Sequence, residues 1–514
     1  MELKELELVV AKYYDFCKLG LHFTRTNKPD ESKESQVHYA IINGFFAALN
    51  NYLLLVYDDL KVNASVLFAK SNTNKVFLRV IIEATLLLDI FKHHPDYIEP
   101  YYNTYLSDKK RLSSIFDKDD EHKKYLRRFS WLPKHNKKKP STLIDLLNYV
   151  DFENAEHREF YTVIIRSLDA FTHPSFYMGQ SIETHLIADI NTISPIFIKN
   201  GILSEITDNF TDFISEIYPD FAAELKNILN SPIVSPKISI DYQAIIGNLP
   251  KEINSISMIM TAISGSIKSA PNPTYSQRNI AYLLLDLAPR YEDLLRAYFS
   301  RNKFLFAIQL RTIIESLSML HILLKEDEKR NYIFYIHQQI KSFEANNSTV
   351  ELLKKYGIGL PNSNFEDTNN SNVETIAEYY KKEHGVDVST SQILRLNGWA
   401  LYLRGQDNDV VPNTIDLVNN MLNDLFKIDA IKEIQAVFEE SNAYTHLTLY
   451  AFLDETMHIS PNLILYLNHS LLTVLLGIIA RPNLTLLSEK EKERISMDLS
   501  KRIIDLNART FYKI

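Results

Sequence analysis

The chain has 514 residues, of which 46% are hydrophobic, and a formal net charge of −8. The negative charge argues against a surface coated all over for nucleic acid. The single cysteine, Cys17, excludes an intramolecular disulfide framework and fits a reducing cytoplasm. With only 12 glycines, few positions can supply the positive φ angles that β-hairpins need. The long segments also lack β-type alternation, so the sequence predicts an all-α protein.

The first part of the chain is predicted to contain one helical unit. Residues 1–35 read as an amphipathic helix and a polar linker, and residues 36–229 as helical unit one. Inside it, an apolar helix over residues 37–60 precedes a helix that carries Arg79 and Glu83. The acidic start of the chain is unlike a signal peptide, which favours a cytoplasmic location.

The second part is predicted to contain another helical unit. Residues 230–252 include three prolines and form a connector, and residues 253–514 form unit two. Within unit two, residues 357–373 are rich in Asn and Ser and predict a loop. Ser460 and Pro461 predict the start of an apolar helix. That helix carries Asn468, His469 and Ser470, so we expect a buried core helix and no membrane association.

The same residue types recur in the same order in both units. The set comprises an Arg-x-x-x-Glu pair, a tryptophan, a Thr-His dipeptide and a tyrosine four residues after the histidine. In unit one these are Arg79, Glu83, Trp131, His173 and Tyr177. In unit two they are Arg311, Glu315, Trp399, His446 and Tyr450. A run of matches in one order predicts an internal duplication of two helical-bundle units.

Each Arg-x-x-x-Glu pair has two interpretations. Residues four apart share one face of a helix and can form an ion pair. Both pairs lie within apolar runs, so one hypothesis is a shielded pair that fixes the packing of helices. The other is a polar site in which Arg79 or Arg311 holds a small anion or nucleotide.

Unit one also places an arginine before its histidine. Arg166 and His173 are seven residues apart, which puts them on one helix face about 10 Å apart along the axis. Both side chains could then reach one phosphate. Histidine suits proton transfer near neutral pH, and a guanidinium suits the charge that develops on phosphorus.

This Arg-x6-His pattern near the end of a late helix resembles the HEPN superfamily, which includes metal-independent endoribonucleases of toxin and phage-defence systems as well as inactive binding modules. The wider pattern of Arg-x-x-x-Glu and Thr-His-Pro also resembles an uncharacterised family of bacterial helical proteins. The HEPN resemblance implies that Arg166 stabilises the scissile phosphate and that His173 is the general acid or base. Unit two has Glu439 at the position of Arg166, so unit two would be the degenerate copy.

A basic strip lies upstream in unit one. Residues 122–139 contain many Lys and Arg residues and no acidic residue, with aromatic residues between them. Cations could contact phosphates while Trp131 stacks on a base; the alternative is a solvated loop balanced by the acidic residues just before it. The predicted substrate-binding residues are therefore Arg79, Glu83, Lys123, Lys124, Arg127, Arg128, Trp131 and Tyr177.

No cofactor or metal site is predicted, because the sequence has no His-x-x-x-His spacing and no glycine-rich phosphate loop. The leading hypothesis is a cytoplasmic HEPN-like protein that binds or cleaves RNA in a toxin or defence setting. RNA is the predicted partner, without DNA specificity, and a homodimer is left open. The alternative is a non-catalytic helical scaffold or sensor in which the repeated Arg, Glu and His residues are structural.

Overall fold

A computed structural model describes most of the chain. The described residues are 3–61, 73–116, 129–135, 140, 142–152, 154–169, 202–232, 251–355, 366–404, 411–453, 460–482 and 484–511. Every regular element in these ranges is a helix, which confirms the all-α prediction. The duplication, by contrast, remains a prediction.

The helices of the first part of the chain lie within residues 3–230. They are α1 (Leu3–Thr26), α2 (Lys33–Lys61), α3 (Thr73–His93), α4 (Ile98–Phe116), α5 (Leu143–Leu146), α6 (Ala155–Asp169), α7 (Ile202–Ile217) and α8 (Pro219–Asn230). The apolar helix predicted over residues 37–60 corresponds to α2, and Arg79 and Glu83 lie on α3.

The helices of the second part lie within residues 251–511. They are α9 (Lys251–Lys268), α10 (Tyr275–Ser300), α11 (Lys303–Lys325), α12 (Glu328–Lys355), α13 (Glu366–His384), α14 (Thr390–Ile393), α15 (Thr414–Leu425), α16 (Ile428–Thr445), α17 (Leu449–Leu453), α18 (Pro461–Ala480) and α19 (Glu489–Phe511). A 3₁₀ segment, Gly398–Arg404, follows α14.

The two parts pack their helices in parallel ways. In the first, α1 packs on α2 and α8, α2 packs on α3, and α3 packs on α5, α6 and α7. In the second, α9 packs on α10 and α19, α10 packs on α11, and α11 packs on α15, α16 and α18. Helix α1, within the N-terminal segment 1–35 of the prediction, thus packs against α2 and α8 of unit one.

The interface between the units is reciprocal. Helix α4 of unit one packs on α16 of unit two, and α6 of unit one packs on α12 of unit two. The order of helices pairs α4 with α12 and α6 with α16, so under the predicted duplication these two contacts are equivalent. The core crosses this interface: the rings of Phe77 and Phe304 lie 5.2 Å apart between centroids.

Two expectations about helix ends can be compared with the structure. The Ser460 hydroxyl accepts a hydrogen bond from the Leu463 N–H at 3.1 Å, and Pro461 occupies the first turn of α18, so the predicted helix start is confirmed. The loop predicted over residues 357–373 is wrong in its last part, because α13 begins at Glu366. Residues 356–365 lie outside the described ranges.

Three described helices are long and apolar enough to cross a membrane, judged by length and composition alone. They are α2 from Lys33 to Val56, α11, and α18. The apolar window of α11 is wholly buried inside the protein, whereas only 56% of the window in α18 is buried. Packing in the bundle accounts for the apolar character of α11 without a membrane. The cytoplasmic location remains a prediction.

Candidate functional site

The repeated residues of unit two meet at one place. On α11, Arg311 Nε donates to Glu315 Oε1 at 3.1 Å, as the spacing of four predicts. Arg311 Nη1 lies 3.3 Å from Nε2 of His446, the residue that ends α16. Three residues singled out by the repeat therefore form one contact group, called here the Arg311 centre.

The hydrogen bonds fix the protonation of His446 in this arrangement. A guanidinium can only donate, so Nε2 of His446 accepts and the ring is neutral with its proton on Nδ1. Arg311 and Glu315 are 6% and 1% exposed, while His446 is half-buried. The formal charges of the centre sum to zero, because the Glu315 carboxylate balances the guanidinium.

The matching pair in unit one lies in a similar environment. Arg79 and Glu83 are 8% and 2% exposed and lie one helical turn apart on α3. Helix α3 packs on α6 and α7 as α11 packs on α16 and α18. The predicted catalytic His173 and the predicted binding residue Tyr177 lie outside the described residues. Their relation to Arg79 is therefore predicted from the repeat alone.

Arg166 occupies a different environment from the other arginines of the repeat. It lies in the last turn of α6 with an exposed side chain, while its neighbours Ile165 and Leu168 are fully buried. Helix α6 packs its apolar face on α3 and α12. In unit two, Glu439 lies half-exposed on α16, beside the buried Phe438. The difference in charge between the two helices thus lies at an exposed position on α6 and at a partly buried one on α16.

Most of the basic strip lies outside the described residues. This part includes Lys123, Lys124, Arg127 and Arg128. Trp131, in contrast, is 8% exposed and packs against Tyr101 of α4, with 4.9 Å between ring centroids. This burial does not favour stacking of Trp131 on a base, since an exposed ring face is needed for that contact. Trp131 is a core residue of unit one.

Tyr450, the unit-two counterpart of Tyr177, is also a core residue. It lies on α17 and is 8% exposed. Among the described residues, no group of three or more His, Cys, Asp or Glu side chains is arranged to hold a metal ion. The chemistry available at the described part of the site is therefore that of arginine, glutamate and histidine.

Sequence reasoning missed a second buried ion pair in unit two. On α10, Arg290 Nε donates to Asp286 Oδ1 at 2.9 Å, and the two side chains are 0% and 2% exposed. Burial raises the pKa of Asp286, and the neighbouring guanidinium opposes that rise. The Asp286–Arg290 pair has the same spacing of four within an apolar run that identified Arg311 and Glu315. Only the order of the two charges is reversed.

Comparisons with protein-family models, curated proteins and solved structures found no match to this chain. The function must therefore be argued from the residues and their geometry.

Proposed function

We propose that unit one binds RNA and cleaves it without a metal, and that unit two is a non-catalytic scaffold for unit one. The observation that carries this proposal is the contrast between Arg166 and Arg311. Arg166 is exposed on the surface of α6, whereas Arg311 is buried and paired with Glu315. An exposed guanidinium can contact a phosphate, and a buried, charge-balanced one is suited to holding helices together.

The Arg311 centre supports the scaffold role of unit two. Its arginine is balanced by a carboxylate, and its histidine is held neutral by the same guanidinium. An added phosphate would lie near Glu315 and be repelled by it. The centre joins α11 to the end of α16, two helices far apart in sequence. These features favour a structural role over the alternative in which Arg311 senses a small anion.

In unit one, Arg166 and His173 have complementary roles in the proposed cleavage. Arg166 binds the scissile phosphate and stabilises the charge that develops on it. His173 moves a proton during attack by the neighbouring ribose 2′-hydroxyl. The position of Glu439 on α16 agrees with the assignment of this chemistry to one unit, because a carboxylate there repels phosphate.

The test uses the purified full chain with labelled single-stranded RNA, with and without EDTA. Binding is measured by fluorescence anisotropy at fixed salt, and cleavage is measured on gels. Wild-type protein should cleave equally in EDTA, and His173→Ala should cleave about 100-fold more slowly or worse. Arg166→Ala should lose both cleavage and part of the binding. Because phosphate contacts are electrostatic, its loss of affinity should shrink at high salt.

Arg158→Ala is the matched control. Arg158 is another exposed arginine on α6, and its Nη2 donates to Asn148 Oδ1 at 2.6 Å. Its removal takes away the same charge from the same helix, and we expect activity close to that of the wild type. If Arg158→Ala and Arg166→Ala behave alike, or if wild-type protein neither binds nor cleaves RNA, the proposal is wrong. Binding without cleavage would leave only its RNA-binding half.

A further inference from the structure

The corner between α16 and α17 contains a strained residue. Leu447 directly follows His446 and has a φ of 46°. This is the left-handed region, which residues other than glycine rarely adopt. The Thr448 N–H donates to the Ala443 carbonyl at 3.0 Å, which closes the end of α16 in the way that usually uses glycine. A leucine keeps this conformation only where its surroundings enforce it.

Unit one contacts Leu447 from two sides. The hydroxyl of Tyr101, on α4, donates to the Leu447 carbonyl at 3.0 Å. On α2, Gly44 faces the leucine side chain: a Cβ at Gly44 would lie 2.3 Å from Leu447 Cδ1. A methyl group at position 44 would therefore force the Leu447 side chain out of its present position. Behind Tyr101 lies the ring of Trp131, so the donor is itself held by a packed aromatic group.

The same corner carries the histidine of the Arg311 centre. His446 directly follows α16, and its backbone N–H donates to the Asn442 carbonyl at 3.2 Å. Its ring contacts Arg311 Nη1, while the next residue contacts unit one. A change in the backbone of Leu447 must therefore move His446, because the two residues share a peptide bond.

We infer that the surface of unit one around Gly44 and Tyr101 is an internal docking site for the Leu447 corner, and that docking fixes His446 against Arg311. Tyr101 and Leu447 are then positioning residues that couple the inter-unit interface to the Arg311 centre. Without the docking contacts the strained corner relaxes and His446 leaves the guanidinium. The inference concerns unit two and does not depend on RNA binding.

The test measures hydrogen–deuterium exchange at the imidazole C2 position of each histidine by mass spectrometry, in the full chain. Gly44→Ala places a methyl group against Leu447, and Tyr101→Phe removes only the hydroxyl that donates to it. Both should speed exchange at His446 by about fivefold or more, the factor expected when a contact of ordinary strength is lost. Exchange at His321, which lies on α11 and contacts Asp424 at 2.9 Å, should stay at the wild-type rate.

Matched controls exist for both variants. Gly265→Ala adds the same methyl group on α9, where no atom lies within 4 Å of the new carbon. Tyr102→Phe removes the hydroxyl of the next tyrosine, which donates to Gln36 at 3.0 Å within unit one. Neither should change exchange at His446. If Gly44→Ala does not fold, Tyr101→Phe alone decides. Wild-type exchange at His446 in Tyr101→Phe, or equal acceleration in Tyr102→Phe, overturns the inference.

Discussion

His337 is fully buried on α12, and its protonation is fixed by its neighbours. Its Nε2 lies 3.0 Å from the carbonyl oxygens of Ile393 and of Arg395. A carbonyl only accepts, so Nε2 carries a proton, and the lowered pKa of His337 leaves Nδ1 without one near neutral pH. Burial, together with the nearby Lys341, lowers the pKa of His337 to about 4, against the opposing effect of the two carbonyls. The ring ties α12 to the segment before the 3₁₀ turn, and burial makes its protonation unfavourable.

This gives a prediction for the pH dependence of stability. The folded pKa lies below the ordinary value of 6.5, so between the two values the unfolded chain binds a proton that the folded chain does not. The contribution of His337 is then complete above about pH 6.5 and is lost as pH falls towards about 4, by ~3 kcal/mol in total. We expect urea unfolding curves at pH 7 and pH 5 to differ by about 2 kcal/mol from this source, since the loss is complete only near pH 4.

His337→Gln is the control for that prediction, because glutamine keeps an N–H donor and does not titrate. The difference in unfolding free energy between the two pH values should be smaller in the variant than in the wild type. Other histidines contribute equally to both proteins and cancel in the comparison. An unchanged pH dependence in His337→Gln would show that another group is responsible.

At the scale of single helices, α10 contains two i,i+4 ion pairs in different surroundings. Asp286 and Arg290 are buried, and Nη1 and Nη2 of Arg290 are buried without a hydrogen-bond partner among the described residues. Glu292 and Arg296 form the second pair, at 23% and 18% exposure. Removing one member of a buried pair leaves an uncompensated charge in the core, whereas a pair near solvent is screened.

We therefore expect Arg290→Met to lower the free energy of unfolding by about 3–5 kcal/mol, and Arg296→Met to lower it by less than ~1 kcal/mol. The double variant Asp286→Leu/Arg290→Met should recover most of the loss, because it replaces both charges by apolar groups of similar volume. Chemical denaturation of the four proteins measures these values. Equal losses in Arg290→Met and in the double variant would contradict the interpretation of Asp286 as the stranded charge.

The helices show where prediction from sequence succeeds and where it stops. The start of α18 at Pro461 and the Arg311–Glu315 pair depend on residues within one turn of each other, and the sequence contains both signals. The contact of Arg311 with His446 spans 135 residues, and it could be suspected only because the repeat kept both. Trp131 is buried by side chains of α3 and α4. The residues next to Trp131 in the sequence do not reveal these contacts, so the sequence alone could not show that the ring is covered.

At the scale of the whole molecule, the two units share one core. Helix α2 contacts α11 and α17, and α4 contacts α16 and α17, so helices of unit one cover apolar surface of unit two. The contacts include a hydrogen bond from Asn302 Nδ2 to Asn51 Oδ1 at 2.6 Å. The sequence predicted two units, and it contained no signal for how they pack, because their contacts join helices that are not neighbours in the chain.

This shared core predicts that the units unfold together, and the only two tryptophans of the chain can test it. Trp131 lies in unit one and Trp399 in unit two, at 8% and 1% exposure. Trp131→Phe leaves a fluorescence reporter for unit two alone, and Trp399→Phe leaves one for unit one. In each variant, the fluorescence midpoint in urea should equal the midpoint from helical circular dichroism, since a two-state transition gives the same midpoint by every probe. Each variant is its own control, because any destabilisation by the substitution shifts both signals equally. Fluorescence of Trp131 that changes at a lower urea concentration than circular dichroism would instead show that unit one unfolds first, and would contradict a single shared core.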